Sequence, residues 1–271
     1  MQDTPTSQLI RTDVLDPARA GALAATLGID ATFAEGTPLP PFFHQIYFWD
    51  ARPPEALGRD GHPAVGDDLI PDFGLPRRMW AGGALEFLAP LRAGRLSEKR
   101  SACIHTSRKT GRSGPLAFVT LQHEIWQDGT LCVREAQDLV YRADAAPGEP
   151  GPLPPRAPED ATAIAGVRFD PTLLFRYSAL TFNGHRIHYD PVYAREVEGY
   201  DGLVVHGPLL AQKLILWAGE TAPVSTFRFR GTSALMVYET AELCRDGARM
   251  WVRGPDGRQV MTAEVNEGQP V

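Results

Sequence analysis

Residues 208–218 read PLLAQKLILWA, a run in which only Gln212 and Lys213 are strongly polar. A helix of that composition is apolar over most of its circumference, so it has to be buried on nearly every side. Pro208 suits position N1 of such a helix, where the missing N–H costs nothing. Behind it come segments of strand composition at 224–231, 234–245, 249–253 and 259–265, punctuated by Asp246-Gly247 and Asp256-Gly257. A single buried helix followed by antiparallel strands points to a sheet curled around that helix.

The first half repeats the order. Residues 17–27 suit a short helix, with Asp16 as N-cap and Pro17 at N1. Extended segments begin at Trp80 and continue at 95–106 and 116–127; the turn Asp128-Gly129 leads into a last one at 131–141. Between the halves, residues 145–158 read AAPGEPGPLPPRAP, a composition that prevents regular pairing. The expected class is therefore α+β with antiparallel sheets, in two units: 1–144 and 161–271, joined by a linker over 145–160. A polar, Pro- and Gly-rich stretch at 51–76 is too long for an ordinary connection, and is expected to have a local function or to cover a surface.

Composition narrows the function. The 271 residues are 43% hydrophobic and 22% charged, enough for a substantial core. A net charge of −6 gives no global field for nucleic acid, and no nucleic-acid partner is expected. No apolar run reaches the roughly 18–20 residues of a membrane span. The polar, acidic start MQDTPTSQLIRTDVLD lacks a signal core, and the expected location is cytoplasmic. Cys103, Cys132 and Cys244 form no CxxC and have no zinc-like spacing, so buried reduced thiols and no metal are expected.

The densest chemistry lies in FRYSALTFNGHRIHYD, residues 175–190. It holds Asn183, His185, His188 and Asp190, and Gly184 allows a tight turn between Asn183 and His188. Then comes VVHGP at 204–208, leading into the buried helix. The free N–H groups of such a helix start, near His206 and Gly207, stabilise charge on a carbonyl oxygen. His188 would exchange a proton with water or a hydroxyl while Asn183 aims the water. Asp190-Pro191 equally suits capping of a following helix.

The segments SALTFNGHRIHYDPVYA and EGYDGLVVHGPLLA resemble the MaoC-like hydratase and dehydratase superfamily. They are especially similar to type 2 hydroxyacyl-thioester dehydratases and to mesaconyl-CoA or itaconyl-CoA hydratases. LPRRMWAGGALEFLAPL and SRKTGRSGPLAFVTLQHEIWQDG resemble the N-terminal hotdog domain of the same enzymes. The resemblance implies a double hotdog, two antiparallel sheets each wrapped around a central helix. Residues 1–144 would form a degenerate first hotdog of the FAS1-like dehydratase type, and 161–271 the catalytic MaoC-like one. The family pattern Asp, any residue, Asn, Pro, aliphatic, His falls on Asn183 to His188. The histidine is kept, but Asn183 replaces the aspartate and cannot act as a base. Either His188 moves every proton, or His185 or Asp190 helps.

The implied activity is reversible hydration of an enoyl thioester, or dehydration of a 3-hydroxyacyl thioester, with no cofactor. Short branched dicarboxylic acyl-CoA esters are the expected substrates. Arg77 or Arg78 would then meet the free carboxylate, with Met79 and Trp80 walling the pocket; otherwise these four are core and surface. Arg108 and Lys109, in RKTGRSG, would contact CoA phosphates or the pantetheine arm, or else sit in a solvated hairpin. The rival functions are a dehydratase of carrier-protein-bound chains, a non-catalytic thioester-binding module and a thioesterase. A double hotdog is complete as a monomer, and a homodimer is equally open.

Overall fold

The computed structural model describes residues 8–66, 69–111, 114–144 and 153–268. The start of the N-terminal segment, residues 145–152 of the expected linker, and Arg112 and Ser113 of the basic stretch lie outside these.

Strands β1 (Leu9–Val14), β2 (Arg77–Phe87), β3 (Leu96–Gly111), β4 (Gly114–Gln127) and β5 (Thr130–Arg142) build the first half, with helix α1 (Pro17–Leu27). The second half holds β6 (Ala163–Arg168), α2 (Pro171–Thr181), α3 (Pro191–Glu196), α4 (Gly207–Gly219), β7 (Val224–Gly231), β8 (Thr240–Asp246), β9 (Arg249–Arg253) and β10 (Gln259–Glu267). The strands run in the order β1-β3-β4-β5-β2-β7-β10-β9-β8-β6, as one antiparallel sheet of ten. The two expected sheets are thus five strands each, hydrogen-bonded edge to edge where β2 meets β7.

That seam depends on the Ala-Gly-Gly of β2. A Cβ on Gly82 would lie 2.5 Å from the Phe229 carbonyl oxygen, so no side chain fits there. Register shifts between Trp80 and Gly82, a bulge that re-aims Trp80.

Helix α4 packs on β2, β7, β9 and β10, burying Leu209, Leu210, Leu214, Ile215 and even Gln212, as its composition requires. His206 is its N-cap, so Pro208 falls at the second helical position rather than the first. Helix α1 is capped by Asp16, whose carboxylate accepts from Ala18 N at 2.8 Å. It leans on α2 and on the 3₁₀ turn Phe43–Ile46. Asp128 and Gly129, at φ 50° and 77°, make the tight turn between β4 and β5.

Three segments depart from expectation. Residues 234–239 are not strand: Val205 N donates to Leu235 O, and Val237 N to Leu203 O. Their backbone is therefore spent on the loop before α4. The edge strands β1 and β6 expose alternate residues and lack the apolar alternation that signals a strand. Helix α2, unexpected, is capped by Asp170-Pro171 as α1 is by Asp16-Pro17. The 51–76 stretch does cover a surface, since Leu69, Ile70 and Phe73 pack on Leu121, Leu139 and Tyr141.

Candidate active site

The site begins where α2 ends. Phe182 closes the helix in the left-handed conformation, at φ 51°. The chain then turns so that Asn183 Oδ1 accepts from His185 N at 3.0 Å. The 3₁₀ turn Arg186–His188 follows and buries His188, leaving it 6% exposed. Gly184 is required because another loop crosses it. A Cβ there would lie 2.5 Å from Gly61 O, and one on Gly61 would strike Gly184 O in turn. Arg186 N donates to Asp60 O at 2.9 Å, so the two loops are hydrogen-bonded as well as interlocked.

His188 Nδ1 lies 2.7 Å from Val204 O, a carbonyl that can only accept. The proton therefore sits on Nδ1, and Nε2 keeps its lone pair. Burial pushes the His188 pKa down to about 3 against the pull of that carbonyl, with His62 adding to the depression. The ring is neutral at ordinary pH. It stacks on His206, with centroids 3.6 Å apart and planes at 20°. His206 is fully buried, and its Nε2 is 2.8 Å from Ser178 Oγ. Burial, then His188 and His185, keep it far below the usual histidine range. The His206 ring thus backs His188 from behind, and its backbone serves as the N-cap of α4.

Asn183, His188 and Gly207 line one cavity of about 250 Å³, walled by Trp80, Leu210 and Met261. Among the described residues no acceptor meets Gly207 N–H, which stands in the first turn of α4. A second lobe of about 260 Å³ adjoins it, lined by Tyr47, Lys99 and Leu121. His62, Arg78, Trp80, Gln137, Asn183 and Pro208 border both lobes.

The remaining predicted residues divide clearly. Arg78 borders both lobes, and no carboxylate among the described residues pairs with it. Arg77 is not available to a substrate: it is buried at 3% exposure, forms an ion pair with Glu198 Oε2 at 2.5 Å and also donates to Glu198 O. Asp190 lies outside both lobes, accepting from Tyr193 N as the cap of α3 and pairing with Arg186. His185 does line the first lobe. Its pKa falls to about 2 through burial and the neighbouring His62 and His188. Arg108 and Lys109 are exposed on β3, outside both lobes, lying over the rings of Phe73 and Phe118.

Nothing in the sequence singles out His62 and Asp60, though both stand in the overlong 51–76 stretch. His62 Nδ1 lies 3.0 Å from Asp60 Oδ2, and the His62 ring is 4.5 Å from that of His185. Burial would raise the Asp60 pKa, but the hydrogen bond and charge of His62 outweigh it and hold it low. Asp60, His62 and His185 offer metal-ligand atoms within 4.8 Å of one another. The Asp60–His62 hydrogen bond already satisfies that pair without an ion.

The chain has relatives over most of its length. The profile of the family "Hydroxyacyl-thioester dehydratase type 2" matches residues 42–238. A mesaconyl-C(4)-CoA hydratase of Chloroflexus aurantiacus is 44% identical over 260 residues, covering 93% of this chain and 92% of its own. The mitochondrial hydroxyacyl-thioester dehydratase type 2 of Schizosaccharomyces pombe is 27% identical, covering 81% and 82%. Among solved structures, HtdX of Mycobacterium tuberculosis superposes with a TM-score of 0.69 at 18% identity, covering 97% of this chain and all of its own. A second M. tuberculosis protein, described as a double hotdog, gives 0.56 at 14% identity, covering 97% and 95%. The fold is a double hotdog, and the chain belongs to the hydroxyacyl-thioester dehydratase type 2 family.

Proposed function

We propose that this protein is a hydro-lyase that adds water reversibly to an enoyl-CoA whose short, branched acyl group carries a free carboxylate, of the mesaconyl or itaconyl kind. One observation carries the reading: a neutral imidazole, a carboxamide and a helix-start N–H face one cleft with the Arg78 guanidinium, and among the described residues His188 Nε2, Gly207 N–H and Arg78 have no partner. The thioester oxygen accepts from Gly207 N–H. His188 Nε2 takes a proton from water held by Asn183, and the hydroxide bonds to the β-carbon. The π pair moves onto the thioester oxygen, where the first turn of α4 stabilises it. The thioester itself makes the α-carbon acidic, and the scheme calls on no metal or redox cofactor. Arg78 meets the acyl carboxylate and favours that substrate over an unsubstituted chain on a carrier protein.

In this reading 161–271 is the catalytic half, 1–144 supplies wall and cation, and 145–160 links them. The residues named come from a single chain, so a monomer suffices.

Mesaconyl-CoA with its thioester at C4, crotonyl-CoA and crotonyl-carrier protein, assayed side by side, test the proposal. The carboxylated ester should give the highest kcat/KM. Arg78→Gln should raise KM for that ester alone, by about 10- to 100-fold, the worth of a charge-assisted hydrogen bond. Hydration that survives His188→Ala, or thiol release in place of hydration, sinks the reading.

A further inference from the structure

Hydration handles protons at two places. One leaves water as hydroxide bonds to the β-carbon, and one must arrive at the α-carbon. Asn183 can do neither, since a carboxamide does not titrate near neutrality. In the reading above His188 takes the water proton, and among the described residues no carboxylate bonds to it; its hydrogen-bond partner is a backbone carbonyl.

His62 differs in this respect. It borders both lobes of the cleft beside Asn183. Its Nδ1 is fixed on the Asp60 carboxylate at 3.0 Å, which leaves Nε2 as the working atom. Asp60 is itself held, Oδ1 accepting from His62 N at 3.1 Å. The Gly61–Gly184 crossing locks this loop against the turn that carries His188.

Resting on the hydratase reading above, we infer that His62 is a second catalytic group, which exchanges the α-carbon proton, and that Asp60 is its positioning residue, supplying from the first half of the chain the carboxylate that residue 183 lacks. In hydration, His188 Nε2 takes the proton from water and the C–O bond forms at the β-carbon. The π pair passes to the thioester oxygen as an enolate. The enolate collapses, and a C–H bond forms at the α-carbon with the proton from His62 Nε2. The proton on His188 then passes through solvent to His62 and restores the start. One proton is shared between the imidazoles, and Asp60 makes His62 its better seat.

The groups facing His62 act in opposite senses. Burial lowers its pKa, the Asp60 hydrogen bond and charge raise it and the Arg78 charge lowers it, and the balance falls below the usual histidine value. His185 lies against its ring, and the Tyr189 hydroxyl hangs over Gly61. A substrate carboxylate seated on Arg78 would cancel that repulsion and favour the protonated ring.

The test compares the full-length protein with its His62→Gln and Asp60→Asn variants, measuring kcat and KM against pH on the best enoyl-CoA. General acid–base catalysis is worth 10²–10⁴-fold, so His62→Gln should lower kcat at least about 100-fold with KM nearly unchanged. Hydration needs His62 protonated, so its rate falls as pH rises through that pKa. Asp60→Asn weakens the proton's hold and should move this limb to lower pH. With 3-hydroxyacyl-CoA in D2O, α-proton exchange should vanish in His62→Gln and persist in His188→Gln. Exchange that survives in His62→Gln, an unmoved pH limb in a folded Asp60→Asn, or wild-type activity abolished by EDTA overturns the inference while leaving the hydratase reading standing. A wild type inactive on every enoyl-CoA overturns both.

Discussion

The second half of the chain wraps its strands around α4, which is apolar on nearly every side and points its first turn into the cleft. Among the described residues of the first half no helix lies along the strands as α4 does, and the inner face carries polar groups among its apolar ones. Glu135, 1% exposed, accepts from Gln45 Nε2 at 2.9 Å and lies 3.1 Å from His44 Nε2. His123, 5% exposed, lies 2.8 Å from Ser101 Oγ. The matching face of the second half is Phe227, Phe229, Val252 and Met261. One plan has therefore diverged. The half with the helix start brings Gly207 N–H and His188 to the cleft, the proposed oxyanion site and base. The other spends buried polar groups on its own stability and sends Arg78, Trp80 and His62 across the boundary.

That division is broken if exchanging a buried polar group has the same effect in both halves. His188→Gln should lower kcat by about 10²–10⁴-fold while shifting the melting temperature little, because the amide can still donate to Val204 O. Glu135→Gln should do the reverse. Removing one partner from a buried pair costs about 3 kcal/mol or more, and none of that charge faces the reacting atoms. Thermal melts run beside initial rates check both. A Glu135 variant as inactive as the His188 one, at full stability, would refute the comparison.

Acid sharpens it further. Despite the cost of burial, His44, His123 and Lys99 hold Glu135 down at about 2. A depressed carboxyl stabilises the fold above its unfolded value, about 4.3, and that contribution is lost as pH falls toward 2. The buried histidines act earlier. His123 and His188 are pushed to about 3, chiefly by burial, so between about 6.5 and 3 the unfolded chain takes up protons that the folded chain refuses. Stability should fall by about 1.4 kcal/mol per pH unit for each such imidazole. Urea midpoints from pH 7 to pH 4 should show this decline, flatter in His123→Gln.

Much of this was legible beforehand because local chemistry and global packing agree. A nearly all-apolar helix can only be a core, Asp-Gly turns mark three of the strand junctions, and Asn183 and His188 stand five residues apart around a glycine. What stayed hidden depends on partners distant in sequence. Arg77 and Arg78 are adjacent and look alike, and only the fold sends one to Glu198 and the other into the cleft. Asp60 and His62 sit in an irregular stretch whose value lies in crossing Gly184, about 120 residues away, and no periodicity reports that. Asp190 had two readings, and the backbone of α3 took it as a cap.

The smallest effects concern the join itself. If the halves are one sheet, the seam at β2 and β7 must be less forgiving than an outer edge. Gly82 and Gly166 are both strand glycines, so propensity alone predicts that alanine helps both slightly. Geometry separates them. A Cβ at Gly82 meets a backbone oxygen at 2.5 Å, which only parting the strands relieves, whereas one at Gly166 in β6 meets nothing within 4 Å. Gly82→Ala should cost about 1–3 kcal/mol, the range for overpacking. It should also reduce turnover, because Trp80 and Arg78 approach the cleft on that strand. Gly166→Ala should change stability by less than about 1 kcal/mol, upward if at all. Equal melting temperatures for the two variants would mean that the seam yields as readily as the rim, and that the first half's side chains reach the cleft by some other constraint than strand pairing.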